Sequence, residues 1–232
     1  MHFPPTKPKP PAAAPRPKLN MNRRLMLAAL LLGFGLATPA VAQTTPMQLS
    51  AADQSLISQV QDYLNDQKGL TANFLQVAWD GSTRTGKAWL QRPGRMRFEY
   101  DPPDPELLVA GYGVLVYHDP ALNQTTYIPL GSTPLGILLA NHVDLTSADV
   151  TVTAIDREPG EYDITLVRKN KVAQGTLTLV FGTNPLELRQ WVVTDAQGKQ
   201  TRVSLYDMLP GGPYPDSLFQ YSRPPATGRA KG

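Results

Sequence analysis

The chain has 232 residues, with 22 Lys and Arg against 19 Asp and Glu and no cysteine. That composition excludes a disulfide scaffold, a thiol nucleophile and an anchor attached through a cysteine. Six basic groups and no acidic one lie in the first 42 residues, which leaves 16 basic against 19 acidic beyond them, a mildly acidic remainder that does not suit nucleic acid.

Residues 1–20 carry seven prolines and four basic groups without hydrophobic periodicity and are expected to be disordered. A secretory signal follows from Met21. Asn22, Arg23 and Arg24 form a basic n-region, residues 25–36 an apolar h-region, and Ala40-Val41-Ala42 a small-x-small cleavage site. The apolar run is shorter than the roughly 20 residues of a bilayer span, and no later run approaches that length. The expected organisation is a leader over 1–42, with Met21 the true start, one domain over 43–224, and a disordered tail over 225–232. Sec export and cleavage would leave the mature chain in the periplasm.

After a short arm at 43–49, Ser50-Ala51-Ala52-Asp53 resembles a capping box. Leu56, Ile57, Val60, Tyr63 and Leu64 recur behind it at helical spacing, and Gly69 is the stop. The stripe suits a helix docked on a sheet, and equally a movable lid. From Thr71 the period drops to two. Strands are predicted over 71–79, 85–91, 95–101, 106–110, 114–118 and 124–128, separated by turn signals such as Asp80-Gly81, Pro93-Gly94 and Asp119-Pro120. A short apolar helix, Pro134 to Ala140 with Thr133 as N-cap, interrupts them. Strands resume over 150–155, 161–168, 174–181, 186–194, 201–206 and 217–221. About a dozen meandering strands, two helical pieces and no βαβ repeat predict a mainly β (α+β) fold, a single curved, incompletely closed antiparallel barrel covered by helices.

The block 86–100 is the most informative. Met96, Phe98 and Tyr100 point to one face of its second strand while Arg95, Arg97 and Glu99 point to the other. One face is apolar enough to hold a ligand. Leu115 and Tyr117, two apart on the 114–118 strand, are placed with it. Arg92 closes the preceding strand, where its five donors suit either a solvated charge or the orphan carbonyls at the end of a nearby short helix. Arg95 and Arg97 are expected to be solvated or paired with Glu99.

Catalytic chemistry is sparse. The chain has no GxSxG elbow, P-loop or HExxH. His118 and Asp119, at a strand-to-turn junction, could form a base with its orienting carboxylate, but adjacent strand residues point to opposite faces, which weighs against that pairing. Asp101, Asp104 and Glu106 are interrupted by prolines and suit a turn with solvated charges better than a calcium loop. No catalytic residue, metal ligand or cofactor is assigned, and the chain is not expected to be an enzyme.

Phe74-Leu75-Gln76, Arg92-Pro93-Gly94, Arg97-Phe98-Glu99-Tyr100, Val116-Tyr117-His118-Asp119-Pro120, Gln124 and Thr133-Pro134-Leu135, in this order, resemble the periplasmic outer-membrane lipoprotein carriers of the LolA type. The resemblance runs from about Leu49 to Pro224. It implies an eleven-stranded half-open barrel with a helical lid, whose cavity takes the acyl chains of lipoproteins from an inner-membrane ABC release complex and passes them to an outer-membrane receptor. It implies cavity or lid positions for Leu64, Met96 and Phe98, with Tyr100, Leu115 and Tyr117 beside them. Arg92 would bond to the carbonyls of a lid formed by Leu135, Ile137 and Leu138. The family often has Trp where Phe98 stands. A monomer is expected. Two other readings stay open: a lipid-sensing envelope regulator, and a periplasmic hydrolase using His118 or His142.

Overall fold

The computed structural model describes residues 47–103, 106–169 and 175–222; the leader, the cleavage site, Asp104 and the tail lie outside them. Helix α1, Ala51–Asp66, begins at the predicted capping box. Ser50 Oγ accepts from the Asp53 N–H at 3.2 Å, and the Asp53 carboxylate accepts from the Ser50 N–H at 2.9 Å. Leu56, Ile57, Val60 and Leu64 are buried, as the stripe requires. The helix ends at Asp66, before Gly69, which instead opens the first strand. A Cβ on Gly69 would stand 2.5 Å from the Gly211 carbonyl oxygen, so close backbone approach is what this glycine supplies.

Eleven strands follow: β1 Gly69–Val77, β2 Thr83–Gln91, β3 Arg95–Tyr100, β4 Leu107–Gly111, β5 Val114–Asp119, β6 Gln124–Pro129, β7 Val150–Glu158, β8 Glu161–Arg168, β9 Thr176–Thr183, β10 Leu186–Thr194 and β11 Gln200–Pro210. They form one sheet in the order β6-β5-β4-β3-β2-β1-β11-β10-β9-β8-β7, antiparallel throughout. The order is cyclic except at one point: β6 and β7 follow each other in the chain yet lie at opposite edges. The barrel is therefore open there, as predicted.

Residues 130–149 bridge that opening. They contain a 3₁₀ turn, Leu130–Ser132, and helix α2, Leu135–Leu138. Thr133 does not cap α2 as predicted. Its hydroxyl donates back to the Leu130 carbonyl at 2.9 Å, closing the preceding 3₁₀ turn, and Pro134 takes the N-cap position without a side-chain bond. Leu130, Ile137, Leu138, Leu139, Val143 and Leu145 are buried in the same core as the α1 stripe. Polar ties join the two covering pieces. Asn65 of α1 donates to the Val143 carbonyl and accepts from the Val143 N–H, both at 2.9 Å, and Gln61, one turn earlier, accepts from the Leu145 N–H at 2.6 Å.

The predicted twelfth strand, 217–221, is absent. Asp216–Phe219 is a 3₁₀ turn laid across the outer face of the sheet. Side chains hold it there: Arg95 pairs with Asp216 at 3.0 Å, Arg97 donates to the Leu218 carbonyl at 3.1 Å, and the Tyr221 hydroxyl lies 3.1 Å from His118 Nδ1. The alternation of Phe219 and Tyr221 imitates a strand, but the segment crosses the ladder and has no strand to pair with.

Gly86 lies where β2 meets β1 and β3, and a Cβ there would stand 2.0 Å from the Glu99 carbonyl oxygen and 2.8 Å from the Phe74 ring. Gly86→Ala should therefore destabilise the protein by about 1–3 kcal/mol, measured by urea denaturation. At the other end of the domain, hydrogen bonds from Arg157 and Ser50 hold the Asp53 carboxyl at about 2, below its ordinary 3.8. A depressed folded-state value gives stability that is present above pH 4 and lost as pH falls toward 2. Asp53→Asn should lower stability at neutral pH, and the gap from wild type should close between pH 4 and 2 in denaturation curves.

Candidate functional site

The register that pairs Met96 with Leu90 and Ala110, and Phe98 with Ala88 and Leu108, turns all six side chains to the concave face. Across the β1–β11 seam the same face carries Phe74, Val203 and Trp191, since Phe74 is opposite Leu205 and Val203 opposite Trp191. Aromatic rings line the arch. Phe74 sits 4.6 Å from Phe98 and 5.2 Å from Tyr100 between centroids, and Phe98 sits 6.0 Å from Trp191. Between the flanks lies a cavity of about 180 Å³, walled by Met96, Phe98, Leu108, Trp191, Val193 and Val203, reached by Gln76 and Thr201, and covered by Leu135 of α2.

The structure brings Met96 and Phe98 together on this wall with Leu135. Leu64 and Leu138 meet a few residues away, with Arg92, in a tight crevice of about 30 Å³ between the end of α1, the β2–β3 turn and α2. Ile137 is buried in the core. Leu115 and Tyr117 face inward, opposite Ala110 and Leu108, and outside the cavity wall itself. Tyr100 packs on Phe74, and its hydroxyl donates to Gln76 Oε1 at 2.9 Å; burial pushes its phenol well above the ordinary tyrosine value. Leu108, Trp191, Val193 and Val203 went unassigned in the sequence. Their period-two spacing was visible, but which face of β10 and β11 turns inward depends on the β1–β11 pairing.

Arg92 corrects one expectation. It does donate to a helix-end carbonyl, that of Gln67, but Gln67 is the C-cap of the long α1 and not part of the short α2. What ties the turn to α2 is backbone: the Gly94 N–H donates to the carbonyl of Leu139, the α2 C-cap, at 2.8 Å. Gly94 has φ +67°, which a non-glycine residue adopts only under strain. Burial lowers the Arg92 pKa from its ordinary value, and Arg92 Nη1 is buried without a partner among the described residues.

Glu106 corrects another. It is not a solvated turn charge but 8% exposed, with Oε1 at 3.1 Å from Arg84 Nη2 and 3.3 Å from the Tyr117 hydroxyl. Arg97 meets Glu99 at 2.7 Å, as expected. His118 bonds Thr125 at 3.0 Å beneath the carboxy-terminal segment, on the outer face and away from the cavity.

An open antiparallel barrel whose apolar interior lies under helical cover defines a protein built to enclose apolar matter. Residues 65–222 match the family model described as outer membrane lipoprotein carrier protein LolA. An outer-membrane lipoprotein carrier protein of Methylococcus capsulatus is 31% identical over 87% of this chain and 94% of its own length, and one of Pseudomonas paraeruginosa is 28% identical over 89% and 97%. A LolA superfamily crystal structure from Nitrosomonas europaea aligns with 71% of this chain and 97% of its own at 12% identity and a TM-score of 0.38. The chain belongs to the outer-membrane lipoprotein carrier (LolA) family.

Because Arg92 pins the end of α1 to the β2–β3 turn, Arg92→Leu should cost about 1 kcal/mol and leave the sheet intact. Hydrogen exchange should quicken at the amides of residues 64–67 and stay unchanged in β1 to β3. Equal protection at 64–67 would remove the pinning role.

Proposed function

We propose that this protein is a periplasmic chaperone that binds the acyl chains of lipoproteins and carries them from an inner-membrane ABC release complex to an outer-membrane receptor. The observation that carries the reading is the apolar cavity under α2, walled by Met96, Phe98 and Trp191 and covered by Leu135. Its volume lies below the ~300–1,000 Å³ of ordinary ligand sites, so in this reading the cavity widens as acyl chains enter. In this reading Leu64, Met96, Phe98, Tyr100, Leu115 and Tyr117 form the acyl-binding face, and Leu135, Ile137 and Leu138 the lid, tied at its margin by the Gly94–Leu139 backbone bond, while Arg92 holds the end of α1 beside it. The leader motifs at 21–42 support export and cleavage.

The two handover partners follow from energetics. Each buried acyl methylene is worth about 0.8 kcal/mol, so an anchor of several chains leaves a membrane only when work is supplied from elsewhere. The ABC complex supplies it. A receptor at the outer membrane then takes the chains from a carrier that must hold them less tightly than a bilayer does.

Met96→Glu or Phe98→Glu places a carboxylate on the cavity wall. Either variant should lose capture of a synthetic lipidated peptide by about tenfold or more, with circular dichroism and thermal melting confirming the fold. Unchanged capture in a folded variant would place the acyl chains elsewhere.

A further inference from the structure

Glu106 is anomalous for an apolar interior. It lies on the same face as Leu108 and Ala110, whose partners across the ladder are Phe98 and Met96. Its side chain is buried, and its two oxygens are unequally served. Oε1 meets Arg84 and Tyr117, whereas Oε2 is buried with no hydrogen-bond partner among the described residues. An unsatisfied buried carboxylate oxygen is costly, more so than a neutral acceptor, and such a group calls for a donor.

The surroundings say where that donor comes from. Leu108, two residues on, is part of the cavity wall, and so is Gln76, which accepts from Tyr100. Tyr117 lies directly opposite Leu108. The polar groups Gln76, Arg84, Tyr100, Glu106 and Tyr117 thus gather at the end of β1 to β5 away from the Arg92–Gly94 turn, beside the cavity residues Gln76 and Leu108. An acyl ester offers that end only acceptors. A lipidated amino terminus offers an N–H beside its acyl chains, either as an ammonium or as an N-acyl amide.

We propose that Glu106, held by Arg84 and Tyr117, is a polar subsite at one end of the acyl cavity that accepts a hydrogen bond from an N–H at the base of the bound lipid. The inference rests on the carrier reading above and adds a selectivity to it: amphiphiles with an N–H next to the chain are preferred over those joined by esters alone.

The probes are a long-chain fatty N-methylamide and the methyl ester of the same acid, which differ by one N–H, each competing with a fluorescent fatty acid for the full-length mature protein. The wild type should bind the amide about tenfold more tightly, as a hydrogen bond to a charged acceptor provides. Arg84 and Glu106 form an ion pair, so the variant is Arg84→Met with Glu106→Leu, which takes out both charges of the pair together. It should bind the ester as the wild type does and lose the preference for the amide. Diacylglyceryl-cysteinyl peptides with a free and with an N-acylated amino terminus then identify the donor: the one whose affinity falls in the double variant supplies the N–H. Equal affinity of the wild type for amide and ester overturns the subsite, and so does a preference that survives in the double variant. If the wild type captures neither probe nor peptide, the carrier reading itself fails and takes the subsite with it.

Discussion

Eleven strands pair around this molecule with one link missing, that between β6 and β7, and the other features answer to that gap. A fully bonded barrel has no edges to protect, but its interior is fixed by strand number and stagger. Here the two flanks are hydrogen-bonded into one sheet along the β1–β11 seam, and the opening is spanned by chain instead of ladder. The edges left behind are managed separately. The Met47 N–H donates to the Val152 carbonyl of β7 at 3.1 Å, so the amino-terminal arm covers part of one edge. On the other, β6 ends in Pro129, which cannot donate to an incoming strand.

The cover that spans the gap is apolar and occupies space a ligand would use. Leu135 lies over the cavity, while Ile137, Leu138 and Leu139 are buried against the core. In the carrier reading proposed above, an acyl chain gains burial as it enters while the lid gives some up, and only the surplus appears as affinity. The polar ties between this segment and the rest of the domain include Gly94 to Leu139, Leu130 to Gly113, Asn65 with Val143, Gln61 with Leu145 and Lys169 with Ser147 and Asp149. Each is worth on the order of 1 kcal/mol net. In the proposed carrier, that scale suits a cover that opens without unfolding the barrel.

Local pattern carried the fold a long way. The Ser50 to Asp53 cap, the 92–94 turn and the inward set Met96, Phe98 and Tyr100 all follow from spacing along one or two elements, which is the range over which periodicity is informative. What depends on distant partners was not legible. Arg92 stands near two helix ends, and only the tertiary arrangement decides that Gln67 of α1 receives its bond. Glu106 looks like a turn residue until β2 brings Arg84 beside it. Phe219 and Tyr221 alternate as strand residues do, yet Arg95 and Arg97, on the face away from the cavity, draw that segment across the strands instead of along them. The opposite wall, Trp191, Val193 and Val203, required the register of β10 on β11.

The cyclic strand order also dictates how the chain must acquire its shape. From β1 to β6 every ladder joins sequence neighbours, and the same is true from β7 to β11. Each half is a meander of short-range contacts, the kind that forms quickly because little loop entropy is lost before a pairing is rewarded. The β1–β11 ladder is different. It joins Leu70 to Pro210 and Val77 to Arg202, enclosing nearly the whole domain in one loop. Sealing that seam is the contact of highest order in the molecule, and until it forms, two curved half-sheets expose their concave apolar faces to solvent. For a newly made chain, the interval before sealing is the period of greatest exposure to aggregation.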